Sequence, residues 1–219
     1  MIHLKDGVLQ CFIASGWEKY APLESGPSGR HINEFLIPPL LFPEGNYYIG
    51  YSTMYNYYGF TNQIFQTMHV INTTRQKEKT VGAVQFKMIK VAPQRMYGLE
   101  KIQLHGSEVT VSDRERTLVD LIYFPDPVGS LSQAFMILKS QVQENMIDVE
   151  RFIRYAVLFP AVTLRKRVGI ALEQNGIKPD TLEPLQSSVE GTSLATLFDT
   201  KSRKGTINKK WGIINNAPS

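Results

Sequence analysis

The chain has 219 residues, enough for one large domain or two small ones, and its 42% hydrophobic and 20% charged content is that of an ordinary soluble globular protein. No apolar run approaches the roughly 20 residues of a membrane span. Met1 to Gly7 shows no charged head followed by an apolar block, so no secretory leader is expected. Net charge is +4, and residues 200–219 alone hold Lys201, Arg203, Lys204, Lys209 and Lys210 without an acid, leaving −1 for the rest.

Val8 to Ser15 reads as a strand, with Gly7 before it and Gly16 after it to make a small β-hairpin. Cys11 lies in that strand. It is alone, so no internal disulfide can form, which fits a reducing cytoplasm. A lone cysteine in a strand is expected to be a small buried hydrophobe rather than a nucleophile. Residues 24–30, Glu-Ser-Gly-Pro-Ser-Gly-Arg, read as a linker, and a helix is expected over 31–37 until Pro38-Pro39 stops it.

Residues 47–60 are dense in aromatics. Tyr48, Tyr51, Tyr55 and Tyr58 fit one helical face, on a helix that Ser52 caps and Gly59 closes. Such a face is either a tyrosine-lined core or a platform on which bases stack. Strands are then expected at 64–72, 80–91, 97–104 and 109–111, with 73–79 as a charged hairpin tip, and their spacing argues for an antiparallel meander.

Val109 to Asp120 predicts a strand feeding a helix. Ser112 and Glu115 have the spacing of a capping box, Leu118, Val119, Leu121 and Ile122 give the apolar side to lay on the sheet, and Pro125 ends the helix. Arg114, Arg116 and Asp120 crowd this helix. They form either an ion-paired, solvated end or a surface for a phosphate or an acidic partner. Helices follow at 130–143, 148–159 (Asp148 as cap) and 161–174 (closed by Asn175-Gly176), with one more helical turn at 179–185. Arg165, Lys166 and Arg167 fan over a wide arc at about 100° per residue. With Arg151 and Arg154 they are a candidate positive patch. The basic tail is either a contact for an anionic partner such as nucleic acid or a solubilising end.

Blocks of strands and then helices give an α+β class: an antiparallel meander, a C-terminal helical bundle and a wing-like hairpin at the start. The expected organisation is 1–30 as hairpin and linker, 31–199 as the main domain, and 200–219 as a basic tail. His3, His31, His69 and His105 lack metal-ligand spacing, and no phosphate-binding glycine loop, dinucleotide fingerprint or nucleophile motif occurs. No catalytic residue, metal or cofactor is expected. Glu100-Lys101 with Asp113 is the one arrangement that suggests a metal-dependent nuclease.

Several segments together resemble one family. Tyr47-Tyr-Ile-Gly-Tyr-Ser52 with Tyr58-Gly-Phe-Thr61 is similar to its "YYIS…SAL…HGLT" segment. Phe86 to Val91 followed by Tyr97-Gly98 resembles the strand and glycine that come next. Asp113 to Asp120 resembles its "R-T-L-x-D" helix. Arg167 to Glu173 with Asn175-Gly176 resembles "R-x-G-x-x-L-E-x-x-G". Gly205 to Asn215, with Trp211, resembles its closing "G…W…N" strand. This is the AbiEi-type antitoxin and predicted transcriptional regulator family of abortive-infection, type IV toxin–antitoxin systems, and the resemblance spans 47–216. It implies a non-enzymatic antitoxin and autoregulator, opposed to a nucleotidyltransferase toxin without a stable complex. It also implies promoter DNA as a partner, read by a winged helix-turn-helix. Leu4 to Pro22 looks like the end of the wing only, so the recognition helix is expected upstream of Met1, and promoter binding through the tail is expected to be weak and sequence-blind. The rival reading is a stand-alone nucleic-acid-binding module or nuclease-like enzyme.

Overall fold

The computed structural model describes residues 2–5, 8–13, 16–22, 24–26, 29–31, 33–198 and 203–216. It is α+β, and it divides into two compact units: Met1–Met54 with Ile64–Ser112, and Tyr55–Gln63 with Asp113–Ser219.

The first unit opens with β1 (Ile2–Lys5), β2 (Val8–Ile13) and β3 (Gly16–Pro22), an antiparallel three-stranded sheet. The expected hairpin is therefore the β2–β3 part of a larger sheet. Residues 24–30 do not act as a plain linker: β4 (Glu24–Gly26) and β5 (Gly29–His31) pair as a tight hairpin. A 3₁₀ turn at Glu34–Leu36, capped by the Asn33 side chain, then runs into α1 (Ile37–Leu41). Pro38 and Pro39 do not stop this helix. They sit in its first turn, where a missing N–H costs nothing and the fixed φ suits the helix.

Next come β6 (Tyr47–Gly50), α2 (Ser52–Tyr57), β7 (Thr67–Asn72), β8 (Lys77–Val81), β9 (Val84–Lys90), β10 (Leu99–Leu104) and β11 (Ser107–Ser112). Six of these strands form one sheet in the order β10-β11-β6-β7-β9-β8. β10–β11, β6–β7 and β8–β9 are antiparallel, but β11–β6 and β7–β9 run parallel, so the sheet is mixed and not a consecutive meander. Apolar alternation locates strands without naming their neighbours. The hairpin tip is not at 73–79. It is the two-residue turn Gly82-Ala83, with Val81 opposite Val84 and Gly82 at φ +61°, the positive φ that a type II′ turn needs. Buried Asn72 organises residues 73–79 instead: its Oδ1 accepts from the Thr74 amide (3.0 Å) and the Arg75 amide (2.7 Å), and its Nδ2 donates to the Ile89 carbonyl (3.3 Å).

The second unit is largely helical: α3 (Arg114–Tyr123), α4 (Leu131–Gln143), α5 (Val149–Leu158), α6 (Val162–Gln174) and α7 (Pro179–Ser187). Leu118, Val119, Leu121 and Ile122 are fully buried, and α3 packs on α4, α5 and α6. Ser130 and Asp148 cap α4 and α5 through the amides of Gln133 and Arg151. Residues 203–216 are not a free tail. β12 (Ala195–Thr196), β13 (Thr206–Asn208) and β14 (Ile213–Asn215) make a small sheet in which β14 is central and Trp211 is fully buried.

Candidate functional site

The head of α3 is a network of charges turned inward. Its cap is Asp113, not Ser112, which is the last residue of β11. Asp113 Oδ1 accepts from the Arg116 amide at 2.8 Å, its Oδ2 from the Tyr155 hydroxyl at 2.9 Å, and its carbonyl from the Thr117 hydroxyl at 2.7 Å. Glu115 does not close a capping box. It lies one position short of the third helical residue, and its Oε1 instead accepts from the Asp148 amide (2.9 Å) and the Arg151 guanidinium (2.7 Å). Glu115 thus ties the heads of α3 and α5 together. Burial pushes the Asp113 carboxyl up, against the bonds from Arg116 and Tyr155 that hold it down. Tyr155 is pushed up to about 12 by its own burial and by donating to that carboxylate.

Arg116 is withdrawn from any surface role. It and Asp120 are both 0% exposed, paired by two hydrogen bonds of 3.3 and 3.1 Å, with the guanidinium lying 5.5 Å from the Phe159 ring centre. Two facing charges one helical turn apart satisfy one another where water is absent, and removing one alone strands the other. Arg114 is half-buried. It donates to Gln141 at 2.7 Å and lies 4.9 Å from the Tyr58 ring centre, so it is hydrogen-bonded and stacked.

The basic run of α6 is a clasp, not a patch. Lys166 is 0% exposed and its Nζ donates to the carbonyls of Ser193 (2.7 Å) and Gly212 (3.0 Å); burial pushes its pKa down. Arg167 donates to the Leu197 carbonyl at 2.8 Å, and Arg165 to those of Phe159 and Ser188, both at 3.1 Å. Because the run fans around the helix, part of it had to turn inward, and the backbone carbonyls there are its counter-groups. Gly169 and Glu173 complete the clasp. A Cβ at Gly169 would stand 2.3 Å from the Trp211 ring, and Glu173 accepts from Trp211 Nε1 at 2.9 Å and from Lys210. Burial alone would raise the Glu173 carboxyl, but those two donors hold it below its usual value.

Of the remaining candidates, Arg151 is held by Glu115. Arg154 is exposed and shares a groove of about 240 Å³ with Glu150, Ile153, Asp180, Thr181 and Pro184, where two carboxylates oppose it. Lys210 is paired with Glu173, Arg203 reaches the Leu194 carbonyl at 3.4 Å, and Lys204 and Lys209 are exposed at the rim of the β12–β14 sheet. Lys201 lies outside the described residues. The patch expected from Arg151, Arg154, Arg165, Lys166 and Arg167 is therefore not assembled: Lys166 and Arg167 are buried, Arg165 is bonded to two carbonyls, Arg151 is ion-paired with Glu115, and of the five only Arg154 is exposed.

The tyrosines do not share a helical face. Of the four expected on one face, Tyr48 belongs to β6, Tyr51 is the left-handed residue (φ 52°) between β6 and α2, Tyr55 lies on α2, and Tyr58 follows its end. Tyr48, Tyr51 and Tyr55 are buried and serve as core, and Tyr58 is half-buried under Arg114. Ser52 sits 3.0 Å from His69 Nδ1, and burial, helped by Lys87, lowers His69 to about 4. Lys101 is ion-paired across its hairpin with Glu108 at 2.6 Å. Among the described residues no group of three or more His, Cys, Asp or Glu is placed to hold a metal ion.

One basic stretch escaped the sequence reading. Residues 64–98 carry Arg75, Lys77, Lys79, Lys87, Lys90 and Arg95 against the single acid Glu78, a net of +5. The charge is as large as that of residues 200–219, and a sliding count of charge finds it. Its arrangement was hidden because the hairpin tip was expected at 73–79, which places Lys77 and Lys79 in a turn instead of a strand.

No family model matches the chain, and no curated protein matches it. Among solved structures the chain is similar to the crystal structure of the RV2827C protein from Mycobacterium tuberculosis, with a TM-score of 0.57 and 12% identity over 93% of this chain and 73% of that one. At that identity the likeness is one of fold alone.

Proposed function

We propose that the chain is a non-enzymatic antitoxin and transcriptional regulator of a type IV toxin–antitoxin system, acting in a prokaryotic cytoplasm against a nucleotidyltransferase toxin. One observation carries the reading. Part of the family resemblance falls on residues that hold the second unit together: Arg116 with Asp120 inside α3, Arg167 against the Leu197 carbonyl, and Gly169 and Glu173 of α6 against Trp211. A resemblance made of chance composition would scatter over surface positions. This part falls on one buried ion pair, a close glycine–tryptophan contact and a buried indole.

The test is growth rescue. The gene is co-expressed with a nucleotidyltransferase toxin encoded beside it, with wild-type chain and empty vector as the two arms. Restored growth with the chain, and no rescue from Trp211→Ala, is expected. Growth arrest undiminished by well-expressed wild-type chain overturns the antitoxin reading.

A further inference from the structure

We propose that the edge of the β8–β9 hairpin is a contact surface for a nucleic-acid backbone, with Lys77, Lys79 and Lys90 presented as one row of ammonium groups. In the antiparallel register Lys77 stands opposite Met88 and Lys79 opposite Phe86. Both lysines therefore share the face of Phe86 and Met88, and by period-two alternation so does Lys90 at the end of β9; Phe86 and Met88 are buried, so the charges lie at the rim of that covered face. β8 is the outermost strand of its sheet. Residues two apart on a strand are separated by roughly 6.7 Å, close to the spacing of successive phosphates on an extended strand.

The charges are segregated. Glu78 alternates to the opposite face, opposite Lys87, and accepts from Gln85 Nε2 at 3.2 Å. The single carboxylate of residues 64–98 is thus removed from the lysine row, and none of Lys77, Lys79 and Lys90 has an ion-pair partner among the described residues. Lysines on an edge strand also prevent pairing with a second sheet. That duty concerns β8, the edge strand, and does not extend to Lys90 on β9. Lys77 and Lys90 are exposed and Lys79 is half-buried, and cations without an ion-pair partner are what counterion release from a polyanion uses. The contact reads phosphate and not bases, so it is expected to be sequence-blind.

This proposal uses residues apart from those behind the antitoxin reading, so growth rescue and nucleic-acid binding can fail separately. The experiment titrates the full chain against a labelled 20-base-pair duplex and a single-stranded RNA of equal length, each at two salt concentrations. Lys77→Glu/Lys79→Glu is compared with Lys139→Glu/Lys178→Glu, which changes net charge equally at exposed positions outside the basic tail. The hairpin variant is expected to lose on the order of tenfold in affinity near 0.1 M salt and to reduce the duplex salt slope by about 2, with the control losing much less. The polymer bound more tightly by wild-type chain identifies the source of the phosphates. Lys77→Gln/Lys79→Gln, which removes charge without adding a carboxylate, is expected to show an intermediate loss with an unchanged melting curve. Equal losses in hairpin and control variants, no binding by wild-type chain, or tighter binding to phosphatidylserine vesicles than to either polymer overturns the proposal.

Discussion

Asp113, Lys166 and His69 each contribute in a way that a substitution can isolate. Asp113 Oδ1 caps α3, and truncating a cap carboxylate costs about 0.5–2 kcal/mol. Asp113→Ala is expected to lower the unfolding midpoint at unchanged denaturant slope, while Asp113→Asn, which keeps the acceptor, is expected to keep most of it; equal losses in the two would remove the cap from the account. Lys166 was expected on the surface, where a reversed charge is harmless. Buried against two carbonyls, it is now expected to be intolerant: Lys166→Met leaves both acceptors unsatisfied, at about 1–3 kcal/mol each. A thermal melt that matches wild type would contradict its buried role. For His69 the folded pKa is depressed, from 6.5 to about 4, so below about 6.5 the unfolded chain binds the proton first. Stability from this residue is complete above pH 6.5 and is lost as pH falls toward 4, by roughly 3 kcal/mol at most. Denaturant unfolding at pH 7 and pH 4.5 should show His69→Gln losing less stability on acidification than wild type does.

The α6 clasp is where helix propensity and packing give opposite forecasts. By propensity alone Gly169→Ala should stabilise an interior helical position by up to about 1 kcal/mol. The Trp211 ring stands 2.3 Å from the added Cβ, and overpacking of this kind costs about 1–3 kcal/mol. The net expectation is a lower midpoint; a higher one would show that the ring can move aside. Gly205 is confined in the same way, since a Cβ there would meet the Asn215 carbonyl at 2.0 Å. The resemblance had marked both glycines and Trp211. Pattern alone had read residues 200–219 as a tail, because three-residue strands are too short for an apolar periodicity to register. The cap at 112–113 was missed by one residue for a related reason: serine and aspartate both cap, and the last hydrogen-bonded residue of β11 decides between them.

At the scale of the molecule, the second unit includes Tyr55–Gln63, far away in sequence from Asp113–Ser219. Tyr55 donates to the Phe124 carbonyl at 3.2 Å, and Tyr58 stacks under Arg114. A fragment of residues 113–219 is therefore expected to melt at a lower temperature than the same fragment carrying residues 55–63 through a flexible linker, as read by circular dichroism. Equal melting would make the short segment dispensable. The sequence by itself determined the α+β class, the helices from 114 to 187 and most of their starts and stops, because those depend on local periodicity and capping. Only the tertiary structure decided the strand order of the mixed sheet, the inward turn of Arg116, Lys166 and Arg167, and the one-sided row of Lys77, Lys79 and Lys90. In each case the deciding partner lies far along the chain or across a register, and a charged side chain carries the same letters whether it faces water or a buried carbonyl.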